Sequence, residues 1–213
     1  MTKKERAKHV QQKLAERYPH PETHLDAKDP WELTIATVLA AQCTDKRVNM
    51  VTPHLFARWP GPVELGRADV AEVEEVIKST GFYRNKAKNI VAAGKRVAEV
   101  YGGKVPCTME ELITLPGVAR KTANVVLWGS FGINEGLAVD THVGRIAYRL
   151  GLTKHKDPVK VEQDLMALFP KAEWGNVNHR MVWFGRDICD ARKPLCDECE
   201  MAGFCPKVAY TKV

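Results

Sequence analysis

The sequence predicts an all-α fold, and three observations carry that prediction. Apolar residues recur at intervals of three and four along most of the chain, which is the spacing of one helix face. Glycine and proline stand at the joins between these segments. Alternating, strand-like runs cover only a few residues, as in the segment GLAVDTHV at 136–143, where Asp140 interrupts the pattern. We therefore expect about ten short helices joined by tight turns.

The helical segments follow in chain order. The segment 30–41 (PWELTIATVLAA) opens with a proline, which suits the first turn of a helix, and continues into an apolar face. The segment 84–101 has a helical pattern and is dense in lysine and arginine. Two later segments place small or apolar residues on one helix face: Ala123, Val126, Leu127 and Ser130, then Val143, Ile146, Ala147 and Leu150. Gly151 follows the last of these as a stop signal.

The composition is that of an ordinary globular protein with a basic excess. The chain has 213 residues, of which 45% are hydrophobic and 27% charged, and its net charge is +6. That excess suits a polyanionic partner without establishing one. No segment is apolar over the length of a bilayer span, and the charged N-terminus (MTKKERAKHV) lacks the apolar run of a secretory signal. We therefore expect a cytoplasmic protein without a membrane partner.

A helix–turn–helix element is predicted at LPGVARKTA, residues 115–123. Pro116 is expected to end the first helix, and Gly117 permits a turn that a side chain would obstruct. The second helix would then present unpaired N–H groups near Ala119 and Arg120, which favour a phosphate. A plain turn between two helices, without a ligand, is the alternative.

Lys121, within the hairpin, and Asp140, which follows it in the chain, are the two candidate catalytic residues. Lys121 falls in the first turn of the second helix, where it could be a nucleophile or a charged lysine that binds phosphate. Asp140 precedes the later helical run and suits an N-cap. It could act only as a cap, or its fixed carboxylate could also accept a proton or stabilise positive charge on a sugar. Only the fold can bring the two residues together.

Four cysteines are crowded near the C-terminus: Cys189, Cys196, Cys199 and Cys205. In a reducing compartment this density indicates a metal site rather than disulfides. Zinc and an iron–sulfur cluster are both compatible with four thiolates, but only one close pair is present, which favours a cluster. Arg192 and Lys193 lie between the first two cysteines. They would suit a phosphate backbone, or else form a solvated turn.

The hairpin LPGVARKTA, the segment VDTH and the spacing C-x6-C-x2-C-x5-C together resemble the endonuclease III family of bifunctional DNA glycosylases, over essentially the whole chain. The resemblance implies two helical lobes with a DNA-binding cleft between them. Residues 23–134 would form a six-helix barrel with the helix–hairpin–helix, and residues 1–22 and 135–213 an iron–sulfur lobe. Lys121 would be the Schiff-base nucleophile, Asp140 its acidic partner, and the four cysteines the ligands of a [4Fe–4S] cluster.

The same resemblance implies a substrate and a way of holding it. The expected partner is double-stranded DNA that contains oxidised pyrimidines or abasic sites, which a monomer at the nucleoid would excise and then nick by β-elimination. Gln42 would fill the gap left by a flipped nucleotide and Phe82 would be a wedge, although a core aromatic is the alternative for Phe82. Asp45 and His142 stand in matching motif positions and are expected beside the pocket or the DNA.

Two residues depart from the family pattern. Ala119 stands where the hairpin commonly has a second glycine, so its methyl group is expected to crowd a phosphate or alter the turn. Phe82 stands where familiar members often have leucine, which should change the preference for the opposite base.

Three rival functions follow from the same features. An adenine glycosylase acting on mispairs shares the hairpin and cluster, but usually lacks a lysine at position 121 and carries a further C-terminal domain. A non-catalytic helix–hairpin–helix module with a structural metal would bind DNA without cutting it. A small electron carrier would have cysteines dominating a shorter chain.

Overall fold

The computed structural model describes residues 1–210, and this part of the chain contains helices and no strand. Its α-helices are α1 (Lys3–Arg17), α2 (Pro30–Leu39), α3 (Asp45–Arg58), α4 (Pro62–Gly66), α5 (Val70–Ile77), α6 (Tyr83–Val100), α7 (Met109–Leu112), α8 (Arg120–Phe131), α9 (Thr141–Arg149), α10 (Pro158–Leu168) and α11 (Trp174–Asp187). Short 3-10 turns cover Lys78–Thr80, Lys171–Glu173 and Cys196–Glu198. The prediction of an all-α fold is confirmed, and GLAVDTHV forms no strand. No helix within residues 1–210 is both long and apolar enough to cross a bilayer.

The chain divides into two compact units, each with its own hydrophobic core. One unit is Thr23–Ile133 and holds α2 to α8. The other joins Met1–Glu22 to the chain from Asn134 onward and holds α1 and α9 to α11.

In the unit 23–133, α2 is the central helix. All its residues except Pro30 and Thr37 are buried, as expected of a helix surrounded by others. It packs against α3, α6 and α8. Helix α6 also packs against α4, so closely that a Cβ on Gly94 would lie 2.8 Å from the backbone nitrogen of Gly66. At this distance a side chain on Gly94 would clash with the backbone of α4, so the close approach of the two helices requires glycine.

In the other unit, the N-terminal helix packs against α10 and α11 from the far end of the chain. The Tyr18 hydroxyl donates to Asp187 Oδ2 at 2.9 Å, and Arg180 Nε donates to the Tyr18 carbonyl at 3.0 Å. Burial, with the bond to Asp187, raises the pKa of Tyr18 to about 12. Beside it, Trp183 Nε1 donates to the Glu22 carbonyl at 3.2 Å. These contacts tie residues 1–22 to the C-terminal part of the chain.

Candidate active site and metal centre

The first helix of the hairpin ends earlier than the sequence predicts. It stops at Leu112, four residues before Pro116, so the prediction that the proline ends it is wrong. The Thr114 hydroxyl donates to the Glu111 carbonyl at 2.7 Å, and the Leu115 amide donates to the Leu112 carbonyl at 3.0 Å. These short-range bonds terminate the helix by capping its last carbonyls. Pro116 then lies within the turn.

Gly117 lets the hairpin turn lie directly on the core. Its φ is +82°, a conformation that disfavours side chains. A Cβ at this position would lie 3.0 Å from Asn89 Cβ and 3.3 Å from Val38 Cγ1. The hairpin therefore rests between α6 and α2, and the prediction that a side chain would obstruct the turn is confirmed.

Ala119 is the N-cap of α8 and has an extended backbone with φ −90° and ψ 169°. Any residue adopts these angles, so the expectation that its methyl group alters the turn is wrong. The Ala119 side chain makes no capping hydrogen bond to the start of α8, and the N-terminus of a helix favours an anion. Whether the methyl group crowds a phosphate stays a prediction.

Lys121 is the second residue of α8, and its side chain is exposed, as is that of Arg120. The buried residues Ala123 and Val126 anchor the opposite side of the helix in the core. The backbone of Lys121 is therefore held in place by the packed helix, while its amine is accessible to solvent. That arrangement suits either a nucleophile or a phosphate contact.

Gln42 and Phe82 share a strained backbone. Their φ angles are +53° and +48°, and the other non-glycine residue with positive φ among residues 1–210 is Lys207. A left-handed conformation at such residues costs about 1–3 kcal/mol and concentrates at functional sites. Both side chains are exposed, Phe82 by 65%, so the alternative that it is a core aromatic is wrong. Asp45, at the start of α3, follows Gln42 by three residues and is half-buried.

Asp140 is the N-cap of α9, as predicted. Its Oδ1 accepts from the amides of His142 and Val143, both at 2.8 Å. The carboxylate is thereby held in one orientation while the residue stays partly accessible. A fixed, partly exposed carboxylate can cap a helix and take part in proton transfer at once.

His142 is packed between α9 and α11. Its Nδ1 accepts from Arg145 Nη2 at 3.2 Å, and a Cβ on Gly185 would lie 2.6 Å from the same nitrogen. Burial lowers the pKa of His142 and so favours the neutral ring. The nearby Asp140 carboxylate acts in the opposite direction, but its effect is smaller. The structure thus gives His142 a packing role, and its expected contact with DNA stays a prediction.

The four cysteines line one cavity of about 240 Å³. Apolar side chains complete the walls, among them Phe184, Ile188 and Leu195. In residues 1–210, no three His, Cys, Asp or Glu side chains converge closely enough to hold a single ion. Burial raises the pKa of the Cys199 and Cys205 thiols, so a bound metal would be what removes their protons. Four soft donors around a roomy apolar cavity fit a cluster.

Arg149 of α9 holds the start of this cysteine segment. Its guanidinium donates to Cys189 Sγ at 3.3 Å, to the Asp190 carbonyl at 2.6 Å and to the Ala191 carbonyl at 2.9 Å. One turn earlier on the helix, Arg145 donates to the Cys189 carbonyl at 2.9 Å. Neither arginine was predicted from the sequence as a functional residue. The sequence did contain a signal for them. Arg145 and Arg149 lie four residues apart in a helix with a strongly apolar face, so at least one of these cations would need a buried partner.

Asp190 shapes the turn that carries Arg192 and Lys193. Its Oδ1 accepts from the amides of Arg192 at 2.8 Å and Lys193 at 2.9 Å. These bonds lower the pKa of Asp190 to about 2. Both basic side chains are exposed on this ordered turn. They are therefore accessible to phosphates, and their predicted contact with a DNA backbone stays a prediction.

The predicted site residues are distributed over the two units. The hairpin, Lys121, Gln42 and Phe82 belong to the unit 23–133. Asp140 and the cysteine segment belong to the other unit.

Known families and proteins match this chain over most of its length. The family described as "HhH-GPD superfamily base excision DNA repair protein" matches residues 35–171, and the "Iron-sulfur binding domain of endonuclease III" matches residues 189–205. The second match coincides with the four cysteines and confirms the predicted [4Fe–4S] cluster in preference to zinc.

Two curated relatives and one solved structure illustrate the similarity. Endonuclease III of Synechocystis sp. is 53% identical over 205 residues, which cover 96% of this chain and 94% of the relative. Endonuclease III of Bacillus subtilis is 46% identical, with 91% and 88% covered. A trapped endonuclease III–DNA covalent intermediate superimposes with a TM-score of 0.92 at 41% identity, covering 97% of each chain.

Proposed function

Because the chain belongs to the endonuclease III family, we propose that it is a bifunctional DNA glycosylase and abasic-site lyase of base excision repair. One observation carries the proposal. Lys121 presents an exposed amine from the first turn of α8, and the chain is similar throughout to a protein trapped as a covalent intermediate with DNA. A covalent bond to DNA requires a nucleophile on the protein, and an amine that attacks a sugar carbon meets that requirement.

The proposed reaction joins Lys121 to the damaged nucleotide. Its neutral amine attacks C1′, and the bond from C1′ to the base breaks with its electron pair leaving on the base. The base anion takes a proton from water. Asp140 accepts a proton from the amine and returns it to O4′ as the sugar ring opens, which gives a protonated imine between the lysine nitrogen and C1′. The imine acidifies C2′. Loss of a C2′ proton then expels the 3′ phosphate by β-elimination, and water releases the lysine.

The proposed substrate is a duplex that contains an oxidised pyrimidine. The target must leave the stack to reach Lys121, and a poorly stacked lesion costs less to flip. Gln42 would hydrogen-bond the base left without a partner, and Phe82 would occupy the space between base steps. Their exposure and strained backbones support these roles. Asp45 would line the pocket of the flipped base.

Two elements would hold the sugar–phosphate backbone. The N-terminus of α8, where the Ala119 side chain makes no cap, would bind one phosphate, and the exposed side chains of Arg192 and Lys193 would bind others. When bound, the cluster supplies four thiolate–iron bonds that cross-link the segment 189–205. The enzyme would act as a monomer in the cytoplasm, at the nucleoid.

Borohydride trapping on a duplex with one oxidised thymine tests the proposal. The wild-type protein should form a covalent adduct and nick the strand, whereas Lys121→Met should form none and lose nicking by about 10²-fold or more. Lys95→Met is a matched control, since it removes the same charge from an exposed site on α6. Excision of adenine from a mispair without trapping would favour the adenine glycosylase, and binding without excision would favour the non-catalytic module.

A further inference from the structure

Lys86 is a buried lysine in the unit 23–133 that the proposed chemistry does not use. It lies on α6, one turn after Phe82, and only 5% of its surface is exposed. Lysine is almost never buried to this degree unless its ammonium group has partners. The partners here are two backbone carbonyls: Nζ donates to Leu39 O and to Thr80 O, both at 2.8 Å.

The two carbonyls mark the starts of the two strained loops. Leu39 is the last residue of α2, three residues before Gln42. Thr80 ends the 3-10 turn, two residues before Phe82. Each loop enters the left-handed region at its exposed tip, and Gly81 beside Phe82 has a φ of +71°. One ammonium group therefore donates to the backbone at the start of each of the two loops.

From this geometry we propose that Lys86 is a positioning residue that holds the Gln42 loop and the Phe82 loop in a fixed relation to each other. A carbonyl that moves away from Nζ loses a hydrogen bond where water does not replace it, so displacement of either loop is opposed. Because both bonds share one nitrogen, moving one loop also weakens the anchor of the other. Strained conformations persist only when the surroundings determine them fully, and this shared anchor helps to do so.

The position of Lys86 bears on function because the side chains of Gln42 and Phe82 must enter the duplex together. This step rests on the proposed function. A side chain that fills the gap and another that parts the base steps work only at a fixed separation. Burial lowers the pKa of Lys86, so the buried charge is costly, and an apolar side chain of similar length would remove that cost. We therefore expect Lys86 to contribute more to loop position than to overall stability.

Amide hydrogen exchange on the full chain with its cluster, in the absence of DNA, tests the anchor directly. In Lys86→Met, exchange should accelerate by about tenfold or more in both segments 40–43 and 80–83, with little change in the cores. Lys95→Met, nine residues along the same helix, is the control and should leave both segments unchanged. Acceleration in neither segment, or in one alone, would overturn the proposal.

A double-mutant cycle tests the consequence for repair. Single-turnover excision by Lys86→Met should fall by up to about 10²-fold, as expected when reacting groups are misplaced by a small distance. The same change should cost little in a protein that already carries Gln42→Ala and Phe82→Ala, because Lys86 acts through those side chains. Full additivity would overturn the positioning role. A wild-type protein that fails to nick damaged DNA would refute the proposed function, and the exchange experiment, which uses no DNA, would still judge the anchor.

If Lys86→Met does not fold, the wild-type protein provides the measurement. With lysine-selective ¹⁵N labelling, one ammonium group should show protected Nζ protons and scalar coupling to the carbonyls of Leu39 and Thr80. Rapid exchange of the Lys86 ammonium protons, without such coupling, would overturn the proposal.

Discussion

Asp140 combines a structural and a chemical role, and two substitutions separate them. As the N-cap of α9 it accepts two backbone hydrogen bonds of 2.8 Å. Asparagine keeps an oxygen acceptor at the same place but loses the negative charge, whereas alanine loses both. The two variants should therefore rank differently in stability and in activity.

The expected stability costs follow from the cap geometry. Replacing a capping Asp by Ala costs about 0.5–2 kcal/mol, and the two short bonds of Asp140 favour the upper half of that range. Asp140→Asn should lose only the attraction between the carboxylate and the helix N-terminus, about 0.3–1 kcal/mol. In chemical denaturation the free energy of unfolding should fall in the order wild type, Asn variant, Ala variant.

The activity order should differ. Both variants lack a group that can accept a proton from Lys121, so both should lose about 10²- to 10⁴-fold in single-turnover excision. At 1.36 kcal/mol per factor of ten, this is about 2.7–5.4 kcal/mol in the barrier, far more than the loss of stability. If excision by Asp140→Asn stays near the wild-type rate and only Asp140→Ala declines, the carboxylate is a helix cap and the proposed role in proton transfer is refuted.

Four further perturbations have defined outcomes. Gly117→Ala places a Cβ at φ +82° against Asn89, which should cost about 1–2 kcal/mol in the free energy of unfolding and weaken DNA binding; unchanged stability and affinity would contradict the tight-turn argument. Asp190→Ala removes the acceptor that orders the basic turn, so titration at low salt should show several-fold weaker DNA binding while the visible absorbance of the cluster is retained. Arg149→Met should shorten the half-life of that absorbance in the presence of a chelator, and an unchanged half-life would mean that its bonds to the cysteine segment do not protect the cluster. The pKa of Tyr18 is raised from 10.0 to about 12, so its contribution to stability is complete below pH 10.0 and is lost as the pH rises towards about 12; Tyr18→Phe should lose stability less steeply across that interval.

The helical faces were predictable because periodic burial is a local property of the sequence. The buried residues Val143, Ile146 and Ala147 follow the predicted face of α9, and Asp140 caps it as expected. Gly117 was predictable for a similar reason, since a turn between two helices needs a left-handed residue. Such features depend on neighbours within a few positions, which the sequence displays directly.

Features that depend on distant contacts were not predictable. The segment 84–101 gave a run of basic residues, in which nothing distinguished buried Lys86 from exposed Lys88. Its partners lie 47 and 6 positions away, and both are backbone carbonyls, which have no signature in the sequence. The early end of α7 at Leu112 is a local feature that was also missed, because a threonine can either continue a helix or donate its hydroxyl to a carbonyl three positions earlier, as Thr114 does to Glu111.

The contacts of α9 also suggest why a cluster is useful to an enzyme whose proposed chemistry involves no metal. Asp140 stands at the first turn of this helix, and Arg149 at its last turn holds the segment that begins at Cys189. Loosening the cysteine segment would release the partners of Arg149 and leave a cation near an apolar cavity without its carbonyls, which is costly. A cross-link through four thiolates keeps these partners in place. We therefore expect it to hold the basic turn after Asp190 against the C-terminal end of α9.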